Sequence, residues 1–470
     1  MALWDAAAIA QATGGVASHQ FQASGVEMDS RDVRPGDLFI ALKGEAMDGH
    51  KFLPAAFAKG AVAAITDRPV DFPHVLVKDT TKALHDLAHA ARDRSDAVRI
   101  AVTGSVGKTG VKEAIFKSLD RASRGASHRS VRSYNNHVGV PLSLARMPAR
   151  ARFGVFEMGM NHSGEIAPLA EYVRPHVALI TTIAPAHIEN LGSIEAIADE
   201  KAQIFTGLAQ GGTAIIPADT DMADRLIGHA KAVDVNIVTF GRSKSADVRL
   251  LDAIPQEHGG ALITADLGET RLCYTIAEPG EHWIGNSLGV MAAVRAAGGD
   301  LASAGLAMAE MGGLKGRGAR FNIDAGIGKA LLVDESYNAN PASMRATLAS
   351  LGQTPATRRI AVLGSMKELG DFSAKFHRQL VKPIVEARID FALLVGEEMR
   401  ELSAEFIGHL GKSSDGSLGN MSGFQHCDTV EEAIDALEEF GLSGGDAVLV
   451  KGSNSVGLSK LVSHFTSAPE

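Results

Sequence analysis

The sequence predicts an α/β protein with three domains: a small mixed α/β domain over residues 1–97, a central parallel sheet with an antiparallel elaboration over 98–317, and a carboxy-terminal α/β domain over 318–470. From Arg99 onward, short β-branched runs alternate with helical patterns, which is typical of parallel sheets covered by helices. A glycine-rich stretch, MGGLKGRGAR, interrupts this alternation before a second series begins. The residues before Arg99 follow neither series, which indicates a further domain.

The amino-terminal region combines short apolar runs with one long helical pattern. The runs are LFIALKG, GAVAAIT and HVLVKD, and the helical pattern is TKALHDLAHAARDR. This mixture predicts a small independent domain that ends near residue 98.

The central region contains apolar segments that we expect to form parallel strands. They are RIAVTG, FGVFEMG, VALITTI, GTAIIP and NIVTFG. The segment from Ala246 to Ile276 differs, because its runs, such as GALITAD and TRLCYTI, are short and interrupted by charges. We expect this segment to add an antiparallel patch to the same sheet rather than to form a domain.

A second set of apolar segments follows the glycine-rich stretch. They are ALLVDES, RIAVLG, FALLVG and DAVLVKGS, and each precedes a helical segment. This order predicts a separate, Rossmann-like sheet that begins near residue 318.

Composition excludes several classes of protein. The formal charge is −9 and both signs are mixed along the chain, which disfavours binding of long nucleic acid. Cys273 and Cys427 are far apart and neither lies in a Cys-x-x-Cys spacing, so we expect no disulfide framework and a reducing compartment. The first residues, MALWDAAAIAQATGG, lack a basic region, and no apolar run approaches the length of a membrane span. We therefore expect a cytoplasmic protein without membrane insertion.

The segment RIAVTGSVGKTG predicts a phosphate-binding loop between a strand and a helix. Gly104 and Gly107 allow a tight turn, and the helix begins near Lys108, so its free N–H groups face an anion. Lys108 adds a point charge for the outer phosphates, and the Thr109 hydroxyl is suited to Mg²⁺. The predicted ATP-binding loop comprises Thr103, Gly104, Ser105, Val106, Gly107, Lys108, Thr109 and Gly110.

This loop is shorter than the common G-x-x-x-x-G-K-[ST] form. The common spacing requires glycine at position 102, where this chain has Val102. Its frame of strand and helix nevertheless predicts a nucleoside triphosphate site on a P-loop NTPase-like sheet, and the alternative is an ordinary glycine turn.

Two polar residues follow other predicted strands of this sheet. Glu157 ends FGVFEMG after its apolar run, and His187 lies just beyond VALITTI. Because the carboxyl ends of parallel strands meet at one edge, both side chains are expected near the loop. Together with Thr109 they suit a hard cation with phosphate. Alternatively, Glu157 is a solvated acid at a strand end and His187 is structural.

A set of motifs along the chain resembles the Mur ligase family. They are TGSVGKT, NNHVGVPLSL, FEMGMNHSGEI, HIENLGS, GRGAR, DESYNANP, LGSMKELGD and KGSNSVGL. In the amino-terminal domain, MDSRDVRPGDLFIALKGEAMDGHKF is similar to the segment with which these ligases hold a uridine diphosphate group. SYNANP together with ELG resembles the member that completes the pentapeptide of the peptidoglycan precursor.

The resemblance implies an ATP-dependent ligase that forms a C–N bond. Its substrates would be UDP-N-acetylmuramoyl-tripeptide and D-alanyl-D-alanine, joined through an acyl phosphate, with ATP and two Mg²⁺ ions as cofactors. The product serves cell-wall biogenesis, and through it cell shape and division. We expect a monomer that acts on small molecules.

The resemblance also implies roles for individual residues. Thr109 and Glu157 would bind the metal between the β- and γ-phosphates, and His187 would bind the second metal. Lys201 matches a lysine that is carbamylated in this family, whereas on sequence alone it is an ordinary solvated lysine on a helix. Lys108 and Arg317 complete the predicted catalytic set, with Arg317 near the γ-phosphate.

Further positions are assigned by the same resemblance. Asn286 would contact adenine, and Tyr337 and Asn338 would approach the nucleotide, although a loop fixed by asparagine turns explains the latter two equally well. The predicted substrate-binding residues are Ser30 and Arg31 for the uridine diphosphate end, Asn135 and Asn136 for the phosphates or sugar, and Lys451 and Ser453 for the dipeptide.

Four positions depart from the family pattern. Gly110 stands where a second hydroxyl residue is usual, and Trp283 replaces a common asparagine. Ser365 and Glu335 each stand where aspartate is frequent. None of these changes removes a group that the proposed chemistry requires.

Two other functions remain open at this point. One is a different ATP-dependent amide ligase of this architecture, such as a folylpolyglutamate synthase-like enzyme, although such an enzyme would lack DSRDVRPGDLFIALKG. The other is a binding protein in which nucleotide hydrolysis drives only domain closure.

Overall fold

A computed structural model describes residues 2–44, 47–256, 259–410 and 421–467. The described residues form one main sheet in each predicted domain, which confirms the three-domain α/β fold. None of the described helices combines the length and the apolar composition needed to cross a bilayer. Short 3₁₀ segments cover Gly49–Phe52, Gln203–Gly207, Gly370–Phe372, Glu397–Met399 and Asn454–Val456.

The amino-terminal sheet has the strand order β2-β7-β6-β5-β4. Its region contains β1 (Trp4–Asp5), α1 (Ala6–Thr13), β2 (Val16–Ala17), β3 (Gln22–Ala23), β4 (Gly25–Glu27), β5 (Asp37–Ile40), α2 (Leu53–Ala58), β6 (Ala63–Thr66), β7 (His74–Leu76) and α3 (Thr80–Asp93). The predicted runs correspond to β5, β6 and β7, and the predicted helix to α3. Strands β1 to β4 were not predicted, because two or three residues are too short for a periodic pattern.

The central sheet has the order β16-β15-β14-β13-β12-β11-β8-β10-β9. Its strands are β8 (Val98–Thr103), β9 (Ser127–Arg129), β10 (Phe153–Glu157), β11 (Val177–Ile180), β12 (Thr213–Pro217), β13 (Asn236–Gly241), β14 (Val248–Pro255), β15 (Ala261–Asp266) and β16 (Arg271–Ile276). Its helices are α4 (Lys108–Ser123), α5 (Gly139–Ala145), α6 (Ile166–Val173), α7 (Ile188–Leu191), α8 (Ile194–Ala202), α9 (Ala223–Ala232), α10 (Glu281–Ala296) and α11 (Leu301–Ala309).

Pairing from β9 to β14 is parallel, and β15 and β16 are antiparallel additions, as expected. The expected patch differs in one respect, because its first strand, β14, still pairs in parallel with β13. The polar edge strand β9 was not predicted, since it lacks an apolar pattern.

The register of the central strands positions the site. Strand β8 lies between β10 and β11, with Glu157 opposite Val102 and Ile180 opposite Thr103. The three strands therefore end at the same level. The glycine-rich loop, Glu157 and the chain after β11 emerge at one edge, where ligands bind in parallel α/β sheets.

The carboxy-terminal sheet has the order β17-β18-β22-β19-β20-β21, with only β17 antiparallel to its neighbour. Its elements are β17 (Ala319–Asp324), β18 (Lys329–Glu335), α12 (Pro341–Gln353), β19 (Arg359–Gly364), α13 (Ser373–Arg378), α14 (Val381–Glu386), β20 (Phe391–Val395), α15 (Arg400–Leu410), β21 (Gly423–Cys427), α16 (Val430–Phe440), β22 (Ala447–Lys451) and α17 (Ser459–Thr466). The predicted strands correspond to β18, β19, β20 and β22. The edge strands β17 and β21 were not predicted.

Two clusters of buried apolar residues each contain residues from two domains. Leu142 and Ala145 of α5 belong to the core of the amino-terminal domain. Phe205 of the central domain and Leu348 of α12 belong to another cluster that joins the central and carboxy-terminal domains. The central domain thus packs against both neighbours, and residues of all three approach the same edge of its sheet.

Candidate active site

The glycine-rich loop has the backbone that its sequence predicts. Gly104 has φ of 144° and Gly107 has φ of 86°, both in the region that favours glycine. A Cβ atom on Gly104 would also collide with Thr181 Oγ1. Gly107 is the N-cap of α4, so the free N–H groups of the first helical turn follow directly.

One cavity, here called the main cavity, lies at this loop and extends to the carboxy-terminal domain. The predicted site residues that line it are Ser105, Val106, Gly107, Lys108, Gly110, Asn135, Glu157, His187, Asn286, Arg317, Tyr337, Asn338 and Lys451. Thr109 adjoins it through its bond to Glu157, whereas Thr103 and Gly104, the first two residues of the loop, do not line it. Most of the predicted nucleotide site is therefore assembled in one place.

Lys108 supplies a cation to the main cavity. Its Nζ donates a hydrogen bond to Gly104 O at 2.7 Å, which holds the side chain back against its own loop. Burial lowers the pKa of Lys108, while the Glu157 carboxylate acts to raise it and Arg317 acts to lower it. A phosphate in the cavity would restore the missing counter-charge.

Glu157 is fully buried, so the alternative of a solvated acid is wrong. Its Oε2 accepts a hydrogen bond from Thr109 Oγ1 and its Oε1 accepts one from Asn135 Nδ2, both at 2.8 Å. Its backbone N–H donates to Ser130 Oγ at 3.2 Å. The carboxylate is thus held beside the loop in a fixed orientation.

His187 contacts a carboxylate from the carboxy-terminal domain. Its Nδ1 lies 2.6 Å from Glu368 Oε2, and this contact is the main cause that lowers the pKa of Glu368. Both residues have left-handed backbones, with φ of 58° and 63°. Sequence reasoning used Glu368 only as part of the ELG motif and missed the pair, because the two residues lie on different domains.

Lys201 is not the solvated lysine that sequence alone suggests. It is 1% exposed on α8. Burial lowers the pKa of Lys201 well below its usual range, and the Lys108 charge lowers it further, while Glu200 opposes the shift. The side chain is therefore a buried amine close to Lys108.

The donors at the loop fit Mg²⁺ better than a softer metal. Glu157 and Thr109 offer oxygen atoms, and Mg²⁺ in proteins takes one or two carboxylates and completes its shell with phosphates and water. Within residues 2–44, 47–256, 259–410 and 421–467 no cluster of three or more His, Cys, Asp or Glu side chains is poised for a metal.

Arg317, the last residue of the central domain, and Lys451 of the carboxy-terminal domain add two cations to the main cavity. The Arg317 guanidinium lies 4.3 Å from the Tyr337 ring centre, and its Nη2 donates to Ser133 Oγ at 3.1 Å. Lys451 is buried, and its Nζ donates to Asn338 O at 3.0 Å. Burial lowers the pKa of Lys451, and Glu335, with Oε2 3.4 Å from Nζ, opposes this effect.

The predicted substrate residues separate into different places. Arg31 lines a second cleft, the amino-terminal cleft, together with Asp32, Arg132, Tyr134 and Arg146, while Ser30 precedes it in the chain. Asn136 accepts the Gly139 N–H at 2.9 Å and so caps α5, whereas Asn135 faces the main cavity. Ser453 is not a lining residue of that cavity, and its Oγ accepts the Lys367 N–H at 3.0 Å.

Comparison with known families gives a consistent result along the chain. The model "Mur ligase family, catalytic domain" matches residues 22–102, "Mur ligase middle domain" matches 102–294, and "Mur ligase, glutamate ligase domain" matches 319–454. The chain belongs to the Mur ligase family. Mur ligases are ATP-dependent ligases that form amide bonds, which confirms the predicted class of enzyme.

Individual Mur ligases align over most of the chain. UDP-N-acetylmuramoyl-tripeptide–D-alanyl-D-alanine ligase of Rickettsia prowazekii is 32% identical over 98% of this chain and 100% of that protein. The enzyme of that name from Escherichia coli is 35% identical over 80% of this chain and 82% of its own length. A crystal structure of MurF from Acinetobacter baumannii has a TM-score of 0.81, with 29% identity over 98% of both chains.

Lys112 is a buried residue of this Mur ligase site that sequence reasoning missed. Its Nζ donates to the carbonyl oxygens of Ser130 and Arg132, both at 3.0 Å, and lies 2.8 Å from Glu113 Oε1. It thereby fixes the segment that leads to Ser133 and Asn135. A lysine one helical turn after Lys108, among apolar residues of α4, was the available signal.

Glu278 is a buried acid at the boundary between the central and carboxy-terminal domains of the Mur ligase. Burial, with Glu335 nearby, raises the pKa of Glu278 to about 7. In the described part of the chain its Oε1 has no hydrogen-bond partner. A small interdomain cavity is lined by Glu278, His282 and Arg320.

We expect Glu278→Gln to stabilise the protein at alkaline pH. A carboxyl whose pKa is raised on folding favours the folded state at low pH, and this contribution is lost as pH rises from about 4.5 through about 7. The free energy of unfolding of the variant should therefore exceed that of the wild type by an amount that grows between these pH values to about 3 kcal/mol. Melting temperatures of the two proteins measured across this pH range report the difference. Glu281→Gln, at an exposed acid nearby, is the matched control. A pH-independent difference for Glu278→Gln would contradict the assignment.

Proposed function

We propose that this Mur ligase joins D-alanyl-D-alanine to UDP-N-acetylmuramoyl-tripeptide, giving UDP-N-acetylmuramoyl-pentapeptide, ADP and phosphate for the peptidoglycan precursor. Relatives that carry this name align along almost the whole chain. The single structural observation behind the proposal is that Lys108, Glu157, Arg317 and Lys451, from two domains, line one cavity. We also propose a cytoplasmic monomer that acts on these small molecules.

The first step is attack by the terminal carboxylate of the tripeptide on the γ-phosphorus of ATP. A carboxyl oxygen–phosphorus bond forms, the bond to the bridging oxygen breaks, and ADP leaves with the electron pair. An anion approaching a polyanion needs fixed cations around the transferred group. Lys108, at the start of α4, and Arg317, at the end of the central domain, both line the cavity, so two cations from distant parts of the chain are available to the transferred group.

The second step forms the amide bond. The amine of D-alanyl-D-alanine attacks the acyl carbon, the carbon–oxygen bond to phosphate breaks, and the nitrogen loses a proton. Lys451, with Asn338 and Glu335 as neighbours, is the cation that we assign to the dipeptide carboxylate. Ser453 is positioned to act only indirectly, through the Lys367 segment whose N–H it accepts.

Two Mg²⁺ ions complete the proposed site. Thr109 and Glu157 would hold the first, and His187 with a modified Lys201 would hold the second. When bound, Mg²⁺ neutralises the charge that develops on the phosphoryl oxygens. Glu368 would keep the His187 ring in place through its contact with Nδ1.

We propose that Lys201 is carbamylated. Its unprotonated Nζ attacks CO₂, a nitrogen–carbon bond forms, one proton is released, and the side chain gains an anionic oxygen. The observation behind this step is that Lys201 is buried on α8, near enough to Lys108 for the Lys108 charge to lower its pKa. The modification replaces repulsion between two lysines by attraction between the carbamate and Lys108.

The amino-terminal cleft is the proposed site for the uridine diphosphate end. Arg31, Arg34 and Arg132 line it, and Tyr134 adds an aromatic ring. Guanidinium groups bind phosphate through paired N–H donors, which suits a diphosphate. Arg132 forms a two-point ion pair with Asp32 that ties the central domain to the amino-terminal domain at this cleft.

Phosphate release from ATP, measured with both the UDP-tripeptide and D-alanyl-D-alanine, with each alone and with neither, tests the proposed function. We expect release from ATP only when both the UDP-tripeptide and D-alanyl-D-alanine are present, because the acyl phosphate is drawn off by the amine. D-alanine in place of the dipeptide is the matched control. Release with neither acceptor would support a nucleotide-switched binding protein, and release with a folate and glutamate would support a folylpolyglutamate synthase-like enzyme.

A further inference from the structure

The ring of Trp283 packs directly against Gly110. A Cβ atom on Gly110 would lie 2.9 Å from Trp283 Cζ2 and 3.0 Å from Cη2, so the indole edge occupies the space of a side chain at position 110. Gly110 lies in the first turn of α4, and Trp283 in the first turn of α10. The absence of a side chain at 110 therefore makes room for the ring.

The indole also lines the main cavity. Trp283 is half-buried, packs against the apolar core of the central domain and lines the cavity together with Asn286. The two residues are three apart on α10 and so share a helix face. Asn286 Nδ2 lies 2.9 Å from where a Cβ on Gly107 would stand, which places this face directly over the loop.

The two parts of the cavity lining, the start of α4 and the face of α10, differ in chemistry. The Lys108 ammonium and the start of α4 attract phosphate. The α10 face offers a flat aromatic ring and a carboxamide, which are the groups that bind a nucleobase by stacking and by hydrogen bonding. A nucleotide with its phosphates at Lys108 would therefore have its base at α10.

We propose that Trp283 is a specificity-determining residue, whose indole forms the wall on which the purine base of ATP stacks, and that Gly110 is required because it admits this ring. The proposal rests on the ATP site of the proposed function. A side chain at 110 would displace the indole and remove the wall.

Nucleotide binding measured by calorimetry tests the proposal, with ADP and inorganic tripolyphosphate as probes. Stacking of a base on an aromatic ring corresponds to an affinity change of about 5- to 150-fold. We expect Trp283→Leu to weaken ADP binding within this range while tripolyphosphate binding changes by less than about twofold. Trp283→Phe should retain most of the affinity for ADP, because it keeps an aromatic face.

Gly110→Ser provides an independent test of the contact. In the wild-type background it should weaken ADP binding, because the serine displaces the ring. In the Trp283→Asn background it should cause no further loss, since no ring remains to be displaced, so the two effects are not additive. Additive losses would overturn the role assigned to Gly110.

Intrinsic fluorescence gives a second readout on the unmodified protein. The other tryptophan, Trp4, is 3% exposed in the amino-terminal core, where its Nε1 donates to Ala145 O. We therefore expect ADP to change the emission of wild-type protein and not that of Trp283→Phe. This inference would be overturned, and the proposed function left intact, if wild type and Trp283→Leu bound ADP with equal affinity. The same holds if Trp283→Leu lost affinity for ADP and for tripolyphosphate equally. A wild-type protein that binds no ADP would overturn the proposed function as well.

Discussion

Lys108→Ala is expected to abolish amide formation, with a fall in kcat of about 1,000-fold or more. The substitution removes a cation that is fixed beside the loop by its bond to Gly104 O. The γ-phosphoryl group is negatively charged throughout its transfer and is stabilised by a cation held in a fixed position. A mobile cation from the solvent does not provide such a position. Phosphate release in the presence of both acceptors, measured at saturating ATP, reports the effect.

Lys231→Ala is the matched control for this experiment. Lys231 is an exposed lysine on α9 of the same domain, so the control removes the same charge without touching the main cavity. Its turnover should equal that of the wild type. Wild-type turnover in Lys108→Ala would refute the assignment of the loop to ATP.

The order of the central strands explains why the loop and Glu157 were predictable. Both follow apolar segments whose alternation with helices predicts a parallel sheet, and such sheets collect their ligands at the carboxyl edge. The structure pairs β8 with β10 in the register that this argument needs. What the pattern did not determine was that Glu157 is buried and held by Thr109 and Asn135.

Contacts between domains were beyond sequence reasoning. His187 and Glu368 follow unrelated local patterns, and their contact depends on how the carboxy-terminal domain packs on the central one. Contacts within a domain between residues far apart in sequence were missed as well: Gly110 and Trp283 both lie in the central domain, and sequence reasoning treated them as separate departures from the family pattern. That the ring at one position fills the space left by a missing side chain at another can be seen only when the relative positions of the two helices are known.

The segment fixed by Lys112 contacts the amino-terminal domain and the chain that leads into the carboxy-terminal domain. Arg132 pairs with Asp32 of the amino-terminal domain, and Ser133 accepts a hydrogen bond from Arg317, the last residue of the central domain. Lys112 holds this segment from α4, one turn after the ATP loop residue Lys108. Lys112 thus joins α4 directly to the segment that makes these contacts.

Lys201→Ala is expected to lose at least about 100-fold in turnover and to regain part of it in acetate or propionate. The truncated side chain removes the oxygen ligand proposed for the second Mg²⁺, and a small carboxylate can enter the space that it leaves. Methylammonium should give no rescue, because its charge is that of unmodified lysine. Labelled CO₂ should give a carbamate carbon signal in the wild type that is absent from the variant.

Lys108→Ala serves as the control that separates this rescue from a general effect of salt. Its defect is the loss of a cation, so carboxylates should leave it inactive. Lys201 has the opposite electrostatic requirement, because as an ammonium it would be a buried positive charge close to Lys108. Full activity of Lys201→Ala without any additive would show that the site needs no carbamate. Rescue of both variants by acetate would show that the added ion acts elsewhere.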